Sequence, residues 1–189
     1  MKAVDILDIL RKTNALLSGH FELRSGLHSD QFFQCAHVLR FPDIAEKLCR
    51  ALVENLRKAG VAADGVIAPA LGGIVVGHEI ARAMGALSIF AEKKDDKLVL
   101  RRGFVIDKGQ RFVVAEDVIT RGGRVQETID IVEEAGGIVA AVAVLVDRSG
   151  GKAKLPHSVF SLLQMEPVTW KSAECPLCAK GDTPVHPGS

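Results

Sequence analysis

Apolar positions recur along this chain in two rhythms. Near the start, Val4, Leu7, Leu10 and Leu17 fall at roughly helical spacing, which predicts a helix over residues 3–18 closed by Gly19. Residues 21–23 and 31–35 are short runs on either side of a turn at Ser25-Gly26 and predict two strands. Pro42 suits the first turn of a helix that runs to about Lys58, with Gly60 beyond it. The second rhythm starts at Gly65, where compact apolar runs alternate with helical stretches. Residues 65–68, 87–90, 112–115 and 138–146 read as four buried strands. Helices are expected over residues 74–84 and 124–135, with Gly72-Gly73, Gly122-Gly123 and Gly136-Gly137 as punctuation. The charged stretch 92–97 precedes Leu98-Val99-Leu100, and from Trp170 the chain reads as an irregular, proline-containing tail.

Short apolar strands separated by helices of about ten residues mean βαβ units and a parallel sheet, hence an α/β fold. Ligands of such sheets bind at the carboxyl ends of the strands. The loops after Ala68, Phe90, Ala115 and Val146 are therefore where a site is expected.

Composition narrows the function more than the fold. The chain has 189 residues, 48% hydrophobic and 25% charged, enough for one domain with its own core. A net charge of +1 gives no global pull toward nucleic acid or a membrane surface, so an anionic ligand must be held by local groups. No apolar run approaches ~20 residues, and the start lacks the apolar stretch of a signal peptide. A cytoplasmic protein is expected, with no membrane or nucleic-acid partner. The cysteines Cys35, Cys49, Cys175 and Cys178 are then expected as thiols. Cys175-Pro-Leu-Cys178 has the spacing of a metal knuckle, but a tetrahedral zinc site needs a second pair, which Cys35 and Cys49 do not form. A turn of free thiols is the expectation there. The six histidines are scattered, and His78 on its helix is expected to be structural.

The most informative segment runs from Val113 to Arg124. Gly122 and Gly123 allow a tight turn and close approach to a ligand, and the following helix start offers free N–H groups and a positive dipole end. With Thr120, Arg121 and Arg124 added, this makes a phosphate cradle. Glu116 and Asp117 would repel a phosphate unless they meet hydroxyl donors or a bound Mg²⁺. A ligand with a phosphate at one end and a diol at the other, a phosphoribosyl group, reconciles the two. A Gly-Gly turn alone would be a solvent-facing connection; two acids, a threonine and a helix start in order point to a ligand. No Walker pattern and no Gly-x-Gly-x-x-Gly is present.

Glu116-Asp117-Val118-Ile119-Thr120 with Gly122-Gly123 resembles the phosphoribosyl pyrophosphate motif of type I phosphoribosyltransferases, and within them the orotate phosphoribosyltransferases. Residues 19–33 resemble that family's orotate-side segment, Ala68-Pro69-Ala70-Leu71-Gly72-Gly73 its pyrophosphate loop, and Val146-Asp147-Arg148 the strand end that supplies an arginine. Glu174-Cys175-Pro-Leu-Cys178 resembles the ending of one branch of the family. The resemblance implies a single type I phosphoribosyltransferase domain over 1–189, with a core of about 41–150 and a hood made of about 1–40 plus the 150–189 tail. It implies transfer of ribose 5-phosphate from phosphoribosyl pyrophosphate to orotate in pyrimidine biosynthesis, with Mg²⁺ at Asp117, directly or through water. Glu116 to Arg124, with Gly72 and Gly73, would bind phosphoribosyl pyrophosphate. Arg24, Phe32, Phe33, Thr120 and Arg148 would bind orotate, and His28 falls in the same segment or in a surface turn. Lys93 and Lys97 would join Asp117 in catalysis from a loop that a partner subunit supplies, which implies a homodimer.

The chain also departs from the family pattern. Residues 92–97 contain no histidine where the family carries Lys-x-His, and Arg101 and Arg102 come later. Gly72 stands where some members carry lysine, and Arg121 and Arg124 stand where small or hydroxyl residues are usual. Two other readings share residues 116–124: a phosphoribosyltransferase for another base, and a non-catalytic phosphoribosyl pyrophosphate sensor. The first differs in the base pocket. The second needs a nucleic-acid-binding addition, for which no basic stripe is found.

Overall fold

A computed structural model describes residues 1–23 and 25–187. The order of elements is α1 (Ala3–Lys12), β1 (Leu16–Glu22), β2 (His28–Phe33), α2 (Ala36–Leu39), α3 (Pro42–Lys58), β3 (Gly65–Pro69), α4 (Gly72–Met84), β4 (Leu87–Lys94), β5 (Lys97–Leu100), β6 (Arg111–Ile119), α5 (Gly123–Glu134), β7 (Ile138–Asp147), β8 (Val159–Gln164) and β9 (Thr169–Trp170). Two short 3-10 turns follow, at Ser172–Glu174 and Cys178–Lys180.

Six strands form the main sheet in the order β5-β4-β3-β6-β7-β8, parallel except for the β5 edge. Both faces are covered, so the central strands are apolar throughout and not alternating. Val66, Ala68, Val113 and Ala115 pack under Leu48, Leu52, Val76 and Ile80 of α3 and α4. Ile67, Phe112, Val114 and Val142 pack under Ile129 and Val132 of α5 on the other face. A Cβ at Gly77 would stand 2.8 Å from the Ala68 side chain, so glycine there lets α4 lie close on β3. The chain leaves β3 toward β4 in one direction and β6 toward β7 in the other. Between β3 and β6 the winding therefore reverses, which opens a crevice at the carboxyl ends of those two strands.

A smaller antiparallel sheet, β1-β2-β9, stands beside this core as a hood. The structure corrects three local expectations. The first helix ends at Lys12, not near residue 18. The Thr13 hydroxyl donates to the Ile9 carbonyl at 2.8 Å, Asn14 adopts φ 57, and Leu16 and Leu17 start β1, which runs through Gly19. The stretch after Asp147 supplies β8, an edge strand of the main sheet, so residues 159–164 lie in the core layer and not in the hood. His28, read above as part of the orotate-side segment or of a surface turn, is buried within β2. No helix among the described residues is long and apolar enough to cross a membrane.

Candidate active site

The crevice between β3 and β6 holds a cavity of about 470 Å³. The loop after β3 supplies Pro69, Ala70, Leu71 and Gly72, and the end of β6 with the start of α5 supplies Glu116 to Thr120 and Gly122 to Val125. Glycine is what lets the two walls approach. A Cβ on Gly73 would come within 3.0 Å of a Glu116 carboxyl oxygen, and one on Gly72 within 3.3 Å of Asp117 Oδ2. Gly122 caps α5 with φ 83, a left-handed conformation that costs glycine nothing. The first N–H groups of α4 and α5 therefore meet one cavity, each with its positive dipole end.

Two carboxyls share this cavity. Glu116 is 6% exposed and accepts from the Asp117 N–H at 3.1 Å, while Asp117 Oδ1 accepts from the Val118 N–H at 2.8 Å. Burial, and then the adjacent Asp117 charge, push Glu116 up to about 9. Burial also raises Asp117. Arg124 opposes both shifts from across the cavity, and its Nη1 donates to the Ala70 carbonyl at 3.2 Å, tying the two walls together. A buried carboxyl beside a half-buried one suits hydroxyl donors or a hard, oxygen-seeking cation such as Mg²⁺. Thr120 and Arg121 are exposed, and Arg121 does not line the cavity.

Beside the cavity, Arg148 follows directly on β7, and its N–H donates to the Ile119 carbonyl at 2.9 Å. Its guanidinium lies 5.6 Å from the centre of the Phe33 ring. Its Nε is buried and has no hydrogen-bond partner among the described residues. A buried cationic donor left open is costly unless a ligand completes it, and a planar carboxylate matches its fork. Successive strand residues face opposite ways, so Phe33 meets Arg148 while Phe32 packs on Phe21, 5.8 Å between ring centres. Sequence reasoning missed Asp147. Its carboxylate accepts from Ser149 N at 2.8 Å and Gly151 N at 3.1 Å, which shapes the turn carrying Arg148. The Asp-x-Ser spacing is a signal that would have found it.

Not every expected residue comes to the cavity. Lys93 and Lys97 sit in the β4–β5 hairpin, both exposed, with Lys93 Nζ 2.6 Å from Asp96. Asp95 and Asp96 take φ 48 and 65 at its tip, and Glu92 pairs with Arg102 at 2.7 Å. Arg24 lies outside the described residues. His28 faces His20 and the tail cysteines.

Comparison with known proteins gives concordant results. The phosphoribosyl transferase domain family matches residues 38–180. An orotate phosphoribosyltransferase of Heliobacterium modesticaldum is 48% identical over 189 residues, covering 100% of this chain and 99% of the relative. One of Desulforamulus reducens is 47% identical, covering 100% of this chain and 98% of the relative. The solved orotate phosphoribosyltransferase of Aeropyrum pernix superposes with a TM-score of 0.67 at 24% identity, over 84% of this chain and 93% of that one, a likeness of fold alone.

Proposed function

This chain belongs to the orotate phosphoribosyltransferase family, and on that premise we propose that its cavity binds phosphoribosyl pyrophosphate beside orotate. It is a pentosyltransferase. A ring nitrogen of orotate attacks the anomeric carbon, the bond from that carbon to the pyrophosphate oxygen breaks, and orotidine 5′-phosphate and pyrophosphate are released. The observation that carries the assignment is the convergence of two helix starts and two carboxyls on one crevice, with Arg148 held against the cavity-lining Ile119 by its backbone N–H.

Each group has a task. The anomeric carbon gains positive charge as pyrophosphate departs, so the site must neutralise the leaving group and exclude water. Gly72 and Gly73 offer N–H groups to the pyrophosphate. The turn from Thr120 to Arg124 takes the 5′-phosphate, with Arg121 and Arg124 adding charge at its rim. Glu116 and Asp117 accept from the ribose hydroxyls, and Asp117 is the group to hold Mg²⁺. That ion, when bound, offsets charge on the departing pyrophosphate. Arg148 pairs with the orotate carboxylate, supported by Phe33, whereas Phe32 is turned toward Phe21 and holds the hood strands together. Lys93 and Lys97 point into solvent here, which suits a role in the neighbouring site of a homodimer. The enzyme acts in the cytoplasm, on small molecules.

A competition assay tests the base. Full chain, Mg²⁺ and phosphoribosyl pyrophosphate are mixed with orotate, uracil, adenine and hypoxanthine in equal amounts, and the nucleotides are identified by mass. Orotidine 5′-phosphate as the sole product is expected. A purine nucleotide as the main product would overturn the reading of Arg148.

A further inference from the structure

Away from the cavity, the hood brings together four metal-binding side chains that the proposed reaction does not use. His20 of β1, His28 of β2, and Cys175 and Cys178 of the tail each present a donor atom, and all four atoms lie within 4.8 Å of one another. The second pair for Cys175-Pro-Leu-Cys178 is thus not Cys35 and Cys49 but two histidines about 150 residues earlier, which no local spacing could reveal. We propose that His20, His28, Cys175 and Cys178 bind one structural zinc ion that staples the tail to the hood sheet.

The geometry is close to that of a filled site. A tetrahedron with Zn–N of ~2.05 Å and Zn–S of ~2.3 Å has N–S edges of about 3.55 Å. The three N–S separations recorded are 3.4, 3.7 and 3.4 Å. The N–N separation of 2.8 Å is shorter than the tetrahedral edge of about 3.35 Å, so the imidazoles move apart slightly when the ion enters. A second observation is independent of those distances. His20 Nδ1 lies 3.0 Å from the Asp182 carbonyl. A proton on Nδ1 donates there and leaves the Nε2 lone pair aimed into the cluster, the arrangement that orients metal-bound histidines. Cys175 is buried at 3% exposure, and Gly181 turns the chain back at φ 85 just beyond Cys178.

Such a link would add to a lightly held tail. Among the described residues, two residue pairs join β9 to β2, and the tail beyond is tied to the hood by the Phe21–Val185 bridge with the bonds beside it, by His20 at the Asp182 carbonyl and by the exposed His186–Glu22 pair. Among the described residues beyond Trp170 only Cys175 is buried, so little apolar packing holds the tail in place. Four protein donors leave no open position, so the ion is structural.

The test starts from the purified full chain. Elemental analysis is expected to give about one zinc per chain, and cobalt substitution to give the intense visible bands and thiolate charge transfer of a tetrahedral site. Stripping zinc with a chelator is expected to free about two thiols per chain and to lower the thermal midpoint. Cys175→Ser/Cys178→Ser should lose the zinc, whereas Cys49→Ala should keep it. Should the double variant misfold, the wild-type stoichiometry and cobalt spectrum still decide. Only trace zinc after reduction and reconstitution, a weak six-coordinate cobalt spectrum, or a Cys175–Cys178 disulfide in the fresh protein would each overturn the proposal.

Discussion

Replacing Glu116 with glutamine takes one ionisable group out of a cavity that buries two side by side, and the structure fixes the sign of the result. Glu116 rises from 4.5 to about 9 on folding because of burial and the Asp117 charge. A raised carboxyl binds more protons folded than unfolded across that window. The contribution of Glu116 to wild-type stability is therefore most favourable below about pH 4.5, falls as pH rises and levels above about 9. The full shift would correspond to about 6 kcal/mol, of which about 4 kcal/mol would be expressed by pH 7.5. Because the pair titrates together and the cavity opens to water, we expect about 1–3 kcal/mol. For a chain of this length that is a rise of about 3–10 °C in thermal midpoint for the ligand-free Glu116→Gln variant near pH 8, shrinking toward zero near pH 5. Activity should move the other way. A hydrogen bond to an uncharged carboxyl contributes about 0.5–1.5 kcal/mol, so kcat/KM for phosphoribosyl pyrophosphate should fall about 2–10-fold. Thermal unfolding from pH 5 to 9, alongside steady-state kinetics, reads both. A variant less stable than wild type at pH 8 with an unchanged pH slope would refute the electrostatic reasoning.

Other expectations follow from the same site. Asp117→Asn should lose about 100-fold or more in turnover while keeping its circular dichroism spectrum and melting cooperativity, because the side chain faces the cavity. Arg148→Lys should raise the KM for orotate about 10–100-fold and leave phosphoribosyl pyrophosphate binding by calorimetry intact, since an ammonium cannot reproduce a two-pronged pair. If Lys93 and Lys97 act across a dimer, mixing the inactive Lys93→Ala/Lys97→Ala protein with inactive Asp117→Asn protein should restore activity as subunits exchange. An additive mixture with no recovery would place the lysines in their own subunit.

Legibility of the sequence tracked how local the causes were. The helix Pro42–Lys58 was readable to the residue because proline, apolar spacing and a trailing glycine all act within it. The turn from Glu116 to Gly123 was readable as the wall of a cavity because the strand end, the glycines and the helix start follow one another in the chain. The strand Val159–Gln164 was not, since its partly buried pattern exists only against β7. The end of the first helix was misjudged because Leu16 and Leu17 continue the helical spacing while belonging to β1. The zinc cluster was least visible, joining side chains whose nearness depends on the whole hood.

The most direct measurement follows orotate absorbance in a mixture of the protein, Mg²⁺ and phosphoribosyl pyrophosphate, with pyrophosphate assayed in parallel. Loss of orotate matched mole for mole by pyrophosphate is the predicted result. Tight binding of phosphoribosyl pyrophosphate with neither orotate consumed nor pyrophosphate released would contradict the account and mark the chain as a sensor.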